Sequence, residues 1–529
     1  MIFRSPYPDS TIPEVAFSDY VFADLRRHAD RPAFIDGPSG RTLTHGQVHG
    51  GARKMAAALV QRGLRKGEVF AIFCPNLPEY AVAFHGVAMA GGVVTTASPL
   101  APAEELAFQL NDAGACYVLT VPPFLGVARE AAARAKVREI FIIAAPGTPT
   151  DGATPFSALL AHDLPPPAVE IDPRSDLLVL PYSSGTTGRP KGVMLTHFNG
   201  VAALEELTPI GDGYDLSSDE RAIAVIPFFH IYGMQAMLNG TLRFGRTCVT
   251  MPRFDLEQFL GLVQRYRINQ LWAVPPVIQA LARHPVVERF DLSSLTLVGS
   301  GGAPLAPAAQ QRARERLGLD VGQGYGITES GFGVAMERRG SMSGKPGSCG
   351  RLLRNMQMRV VDPASGAELG PNQDGELLIR SPAVMRGYLN QPEATRAMFD
   401  ADGWMHTGDL GHVDGDGEVF IVDRIKELIK YKAYQVAPAT LEAVLLQHPA
   451  VAEAAVIGVP DDEAGEVPKA FVVARAAVPA DEIIAFVATK VAPHERVRQL
   501  EFVAEIPRTP AGKILRRVLR ARAAVAAVG

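Results

Sequence analysis

Cysteine is scarce in this chain, and what there is lies scattered. Cys74, Cys116, Cys248 and Cys349 are the four in 529 residues. No pair has Cys-x-x-Cys spacing, so neither a zinc site nor a disulfide scaffold is indicated, and a reducing, cytoplasmic setting is expected. An excess of one charge is also missing. The formal net charge of −4 gives no electrostatic case for nucleic acid or an acidic membrane as partner. Long apolar runs are absent: the stretch around 81–94 is broken by His85, Gly86, Gly91 and Gly92, so no membrane span is expected. The opening MIFRSPYPDS lacks the charged-then-apolar order of a secretory signal. The ending AVG is not a peroxisomal address. No internal repeat or low-complexity segment is visible. Hydrophobic residues at 47% and charged residues at 20% make an ordinary globular balance, and the length calls for two or more domains.

What is present begins with alternation. EVFAIFC (68–74), CYVLTV (116–121) and EIFIIA (139–144) read as buried strands, with helical patterns at 78–92 and 124–136 between them. The same grammar resumes at RAIAVIPFFH (221–230), a helix over 255–267, QLWAVPP (270–276) and LTLVGSGG (295–302). Strands alternating with helices predict parallel sheets with covering helices. After residue 350 the runs MQMRVVD, GELLIR and EVFIVDR, joined by turns at Asp362–Gly366 and Asp414–Gly417, predict antiparallel pairing. From about residue 424 a new unit begins, with helices over 438–447 and 481–491, strands near 454–459 and 469–474, and a basic tail whose Arg516, Arg517 and Arg520 read as a solvated helix face.

One loop carries chemistry on its face. PYSSGTTGRPKGVMLTH (181–197) sets Ser183, Ser184, Gly185, Thr186, Thr187, Gly188 and Lys191 behind the apolar run Leu177 to Leu180. It is not the P-loop of kinases and ATPases. That pattern needs Gly where Pro190 stands, and Ser or Thr where Gly192 stands; Pro190 also has no N–H to offer a phosphate. Hydroxyls, permissive glycine backbone and one ammonium nonetheless make a phosphate-binding loop.

Further stretches line up in order behind it: PFFHIYG (227–233), SGGAPL (300–305), GQGYGITES (322–330), GWMHTGDLG (403–411), VDRIKELIKYKAYQVAPATLE (422–442) and PRTPAGKILRR (507–517). Together they resemble the adenylate-forming superfamily of acyl-CoA synthetases, peptide-synthetase adenylation domains and luciferases. The wording is most similar to 4-coumarate–CoA ligases and bacterial cinnamate-type relatives. The resemblance implies an α/β fold: a large N-terminal adenylation domain (1–423) of doubly wound sheets plus a β-subdomain, and a small mobile α+β C-terminal domain (424–529). It also implies an ATP-dependent ligase. A carboxylate attacks the α-phosphate of Mg-ATP to give acyl-AMP, and coenzyme A then displaces AMP.

The same resemblance assigns roles. Ser183 to Gly188 and Lys191 wrap the β- and γ-phosphates. Gln323, Gly324 and Tyr325 line the adenine site, Thr328 meets the α-phosphate and Glu329 holds Mg²⁺. Asp409 binds the ribose hydroxyls, aided by Arg424. Lys513 is the mobile catalytic cation, Lys426 the hinge, and His230 lies near the acyl carboxylate. Lys430 and Gln435 match further catalytic positions, while Arg253, Lys432 and Ala433 match coenzyme A contacts. Tyr232, Gly302, Phe332, Gly333 and Met336 form the acyl pocket.

Departures from the family wording stand in KYKA, where relatives have Gly in place of Ala433, and in Gly302 and Phe332, which reshape the pocket. They leave open a cinnamate, a benzoate or a fatty acid as substrate, an enzyme that stops at acyl-AMP or loads a carrier protein, and a non-catalytic nucleotide-binding relative. Retention of Lys191, Glu329, Asp409 and Lys513 together speaks against the last.

Overall fold

The computed structural model describes residues 1–145, 147–161, 165, 167–183, 189–208, 219–337, 345–432, 434–509 and 512–528. Two sheets build the large unit. In the first, strands Val69–Ile72, Val93–Thr96, Ala115–Thr120, Glu139–Ile142 and Leu177–Ser183 run parallel. The first three are buried on both faces, which is why they read as continuous apolar runs and not as alternating ones. Helices His45–Gln61 and Glu79–Met89 cover this sheet; the first starts at a Thr44–Gln47 capping box.

The second sheet has fourteen strands. Pro32–Asp36, Thr247–Thr250, Arg221–Ala224, Gln270–Ala273, Leu297–Ser300 and Val321–Tyr325 form its parallel part. It then turns antiparallel through Ala335–Met336, Ser348–Leu352, Glu418–Arg424, Met405–Val413, Gly375–Arg380 and Gln357–Val361. The β-subdomain is thus continuous by hydrogen bonding with the parallel sheet. In open α/β sheets, ligands bind in the crevice outside the carboxyl ends of the parallel strands.

The smaller α+β unit is a five-stranded sheet dominated by the hairpin Val451–Asp461 and Gly465–Ala474, packed by helices Pro438–Leu445, Ala480–Ala488 and Arg516–Val528. Its basic tail differs from the solvated face expected. Arg517 is exposed, but Arg516 is 13% exposed and sits 2.6 Å from Glu442, while Arg520 reaches Glu427 at 2.6 Å. The spacing of the arginines hid this, because their carboxylates lie 74 and 93 residues away. Among the described residues no helix is long and apolar enough to cross a membrane, and all four cysteines are buried as free thiols.

Candidate active site

The crevice is organised around one buried carboxylate. In strand Met405–Val413, buried and half-buried residues alternate, so Asp409 faces inward and is 3% exposed. It lies in register with Arg424 on the neighbouring strand. Asp409 Oδ1 is 3.0 Å from Arg424 Nε, and Oδ2 accepts from the Tyr325 hydroxyl at 2.6 Å. Burial raises the Asp409 pKa, while Arg424, Tyr325 and Lys513 pull it back.

Lys513 belongs to the small unit yet lies in this cluster. A methyl built on its neighbour Gly512 would stand 3.2 Å from Val274 Cβ of the large unit, so the loop rests against it. Burial, then Arg424, push the Lys513 ammonium down to about 8; Asp409 and Glu427 oppose them and Arg516 adds to them. Its charge also reaches His230, whose imidazole burial pushes down to about 4. His230 Nδ1 accepts the backbone N–H of Tyr232 at 3.3 Å. The neutral ring therefore carries its proton on Nε2.

A second group sits beside the phosphate loop. Ser183 and Lys191 pair across the base of the loop. The Lys191 ammonium lies 4.7 Å from the ring centre of Tyr388, and the Tyr388 hydroxyl donates to Glu329 Oε1 at 2.8 Å. Glu329 and Thr328 share a short 3-10 turn right after strand Val321–Tyr325.

Aromatic rings make the third group. Tyr232 and Phe332 lie 6.0 Å apart at 57°. Glycines seat the rings: a methyl on Gly301 would come within 3.0 Å of Tyr232 Cε1, and one on Gly299 within 2.4 Å of Trp272 Cζ3. Trp272 stands in register with Gly299 on the neighbouring strand. Phe332 rests on Ala202, Ala203 and Ala383.

The chain matches the AMP-binding enzyme family over residues 21–389 and the AMP-binding enzyme C-terminal domain over 440–513. The 4-coumarate–CoA ligase of Pinus taeda is 41% identical over 531 residues, covering 99% of this chain and 98% of that one. The 4-coumarate–CoA ligase 5 of Oryza sativa subsp. japonica is 43% identical over 537 residues, covering 99% and 97%. This chain belongs to the adenylate-forming acyl-CoA synthetase superfamily. Two solved structures agree. The anthranilate CoA ligase AuaEII in complex with anthranoyl-AMP has a TM-score of 0.89 at 28% identity, over 98% of this chain and 99% of that one. The benzoate CoA ligase from Burkholderia xenovorans LB400 has a TM-score of 0.84 at 26% identity, over 96% and 100%. The chain is an acid–thiol ligase that works through acyl-AMP on a small carboxylic acid, ATP and coenzyme A.

Within this adenylate-forming ligase the anticipated residues fall into distinct places. Lys513, His230, Arg424 and Tyr325, all half-buried, gather around the buried Asp409. Lys191, Ser183, Glu329 and Thr328 flank it. Ser184, Gly185, Thr186, Thr187, Gly188 and Ala433 lie outside the described residues. Gln323 is buried with its side chain engaged inside the protein: Oε1 accepts from Leu305 N at 3.0 Å and Nε2 donates to Gln310 at 3.3 Å. Its strand neighbour Gly324 pairs with Met336, whose Cγ would lie 3.5 Å from a methyl on that glycine. Met336 thus stands by the Gln323–Tyr325 strand. Gly302 has φ +80°, a backbone reason for glycine apart from pocket width. A methyl on Gly333 would meet Leu353 Cδ1 at 2.8 Å.

Lys430, Lys432 and Gln435 are exposed on the hairpin Ile429–Tyr431 and Tyr434–Val436, and Arg253 is exposed beyond strand Thr247–Thr250. Lys426 is exposed in the turn Ile425–Glu427, immediately after Arg424. Tyr388 and Trp272 escaped sequence reasoning. The glycines alternating in VGSGG were the one signal for Trp272. Nothing local marked Tyr388, 59 residues from its carboxylate.

Proposed function

We propose that this ligase activates an aryl acid of the cinnamate or 4-coumarate type. The observation that carries the reading is the Tyr232–Phe332 ring pair seated beside Gly301, with His230 two residues from Tyr232. Offset rings make a slot for a flat acyl group, and the 4-coumarate–CoA ligases named above support it.

In the first half-reaction a carboxylate oxygen of the acid bonds to the α-phosphorus of ATP, and the bond to pyrophosphate breaks. Two anions must meet, so alignment and charge neutralisation are the protein's main contribution. Lys513 places its ammonium between the carboxylate and the α-phosphate, with Thr328 as a further donor. Ser183 to Gly188 and Lys191 take the leaving pyrophosphate. Asp409 accepts from the ribose hydroxyls and Arg424 holds Asp409 in place. His230 is neutral and offers its Nε2–H to the acid.

Among the described residues no cluster of three or more metal-ligating side chains exists. Mg²⁺ fits such a site, because it is usually held by one or two carboxylates, substrate phosphates and water. Glu329 supplies a carboxylate with one oxygen fixed by Tyr388 and the other without a partner among the described residues. When bound, the ion neutralises phosphate charge.

In the second half-reaction the coenzyme A sulfur bonds to the acyl carbon and AMP leaves. The residues that follow Lys426 turn about it and exchange Lys513 for the hairpin bearing Lys430, Lys432, Ala433 and Gln435, while Arg253 meets the coenzyme. A panel of cinnamates, benzoates and fatty acids, scored for pyrophosphate release with and without coenzyme A, tests this. Cinnamates should give the highest kcat/KM and yield thioesters. Preference for a fatty acid overturns the aryl assignment, and acyl-AMP without thioester overturns the coenzyme A step.

A further inference from the structure

We propose that Tyr388 is a positioning residue that keeps the phosphate-loop lysine and the metal carboxylate apart and aimed at a metal–triphosphate. The inference rests on the reading of Lys191 and Glu329 given above. Tyr388 is 6% exposed and lies on the short strand Gly387–Tyr388, which pairs with Lys191–Thr196 through Val193↔Tyr388. Its backbone N–H donates to Thr395 Oγ1 at 2.8 Å, which fixes the strand from the other side. One side chain then serves two charges. Its ring faces the Lys191 ammonium at 4.7 Å, and its hydroxyl donates to Glu329 Oε1 at 2.8 Å.

Opposite charges on neighbouring elements attract, and in a partly desolvated crevice they attract strongly. Without an intervening group, a lysine and a glutamate placed so would form a direct ion pair. That pair would have to be broken before a triphosphate and its metal could bind. The phenol prevents this by occupying both. The ring face holds a cation without neutralising it. The hydroxyl occupies one carboxylate oxygen and leaves the other for a metal. The aromatic spacer therefore stores the two charges separately until substrate arrives. Phenylalanine would keep the first function and lose the second; leucine would lose both.

The test is equilibrium binding of ATP to the full-length protein by calorimetry, in excess Mg²⁺ and in EDTA. The variants are Tyr388→Phe, Tyr388→Leu, Glu329→Gln and the double variant Tyr388→Phe/Glu329→Gln. Tyr388→Phe should weaken binding in Mg²⁺ by about tenfold or more, the scale of a hydrogen bond to a charged group, and change binding in EDTA by less than about twofold. Tyr388→Leu should weaken both. The double variant should be no worse than Glu329→Gln, because the two act as one unit. Equal loss in Mg²⁺ and EDTA for Tyr388→Phe, or full additivity with Glu329→Gln, would show ordinary packing and overturn the proposal. If Glu329→Gln itself keeps the parent's metal dependence, the metal reading of Glu329 falls and the coupling with it. Should Tyr388→Leu fail to fold, the phenylalanine variant and the double cycle decide alone.

Discussion

Lys513→Ala removes the one cation that the small domain delivers to the cluster of Asp409, Arg424 and His230. In the free enzyme the ammonium is pushed down to about 8, so roughly nine in ten molecules carry the charge at pH 7. An ammonium about 4 Å from a phosphate oxygen interacts by about 4 kcal/mol at an effective dielectric of 20. Loss of one preorganised donor at a developing charge costs about 2.7–4 kcal/mol in comparable sites. The two figures agree, and acyl-AMP formation should fall about 10²–10³-fold. Acid-dependent pyrophosphate exchange measures that step. A single turnover started from supplied acyl-AMP and coenzyme A measures the other, and it should proceed within a few-fold of the parent. The pH dependence follows from the same ammonium. Its acid form is needed, so exchange should be flat below about pH 8 and decline above it, and Lys513→Ala should lack that decline. Equal damage to both half-reactions would refute the assignment. So would an unchanged alkaline limb in the alanine variant.

Other outcomes follow from the same geometry. Phe332→Ala removes one ring of the acyl slot and should lower kcat/KM for cinnamates by about 10-fold or more while sparing a short aliphatic acid; a uniform effect on all acids would place Phe332 outside the slot. It is a cleaner probe than Gly302→Ala, because a φ of +80° would strain any side chain there. Glu206 is buried, accepts from Ser381, and burial raises its carboxyl from 4.5 to about 8. The folded state then holds a proton that the unfolded chain releases, so this stability is full below about pH 4.5 and lost as pH rises through about 8. Glu206→Gln should flatten the fall of Tm between about pH 4.5 and 8, and parallel curves for variant and parent would exclude Glu206 as its source. Ala433→Gly should speed thioester formation from acyl-AMP by about 5- to 150-fold if a methyl obstructs the pantetheine path, with pyrophosphate exchange unchanged; no gain in rapid-quench turnover would make Ala433 neutral.

Much of the architecture was legible because local chemistry and fold agree. The runs at 68–74, 116–121 and 295–302 became parallel strands, and the glycines after helix Glu79–Met89 ended it, with Gly91 at φ +72°. The polar cluster was legible through motif order, although Asp409 itself stands in the middle of strand Met405–Val413. Orientation across the sheet was not. The amide of Gln323 turns toward helix Pro307–Leu317, and nothing in GQGYG says which way it points. Arg516 and Arg520 looked solvated because their partners are remote in sequence. The resemblance alone assigns Met336 to the acyl pocket; its register with Gly324 is a matter of strand pairing that composition does not encode.

The pairing of Asp409 with Arg424 bears on the order in which products depart. Arg424 is the last residue of its strand and is fixed to Asp409, while the exposed Lys426 follows in the next turn. The pivot proposed at Lys426 would therefore lie just beyond the Asp409–Arg424 pair. Under the proposed hinge, rotation of everything after it would leave Asp409, Tyr325 and Arg424 undisturbed, so an acyl-adenylate would stay bound while the catalytic faces exchange. Under the proposed assignment, pyrophosphate would leave before coenzyme A enters, and AMP would be released only in the second half-reaction. Initial-rate patterns with AMP and pyrophosphate as product inhibitors read that sequence directly.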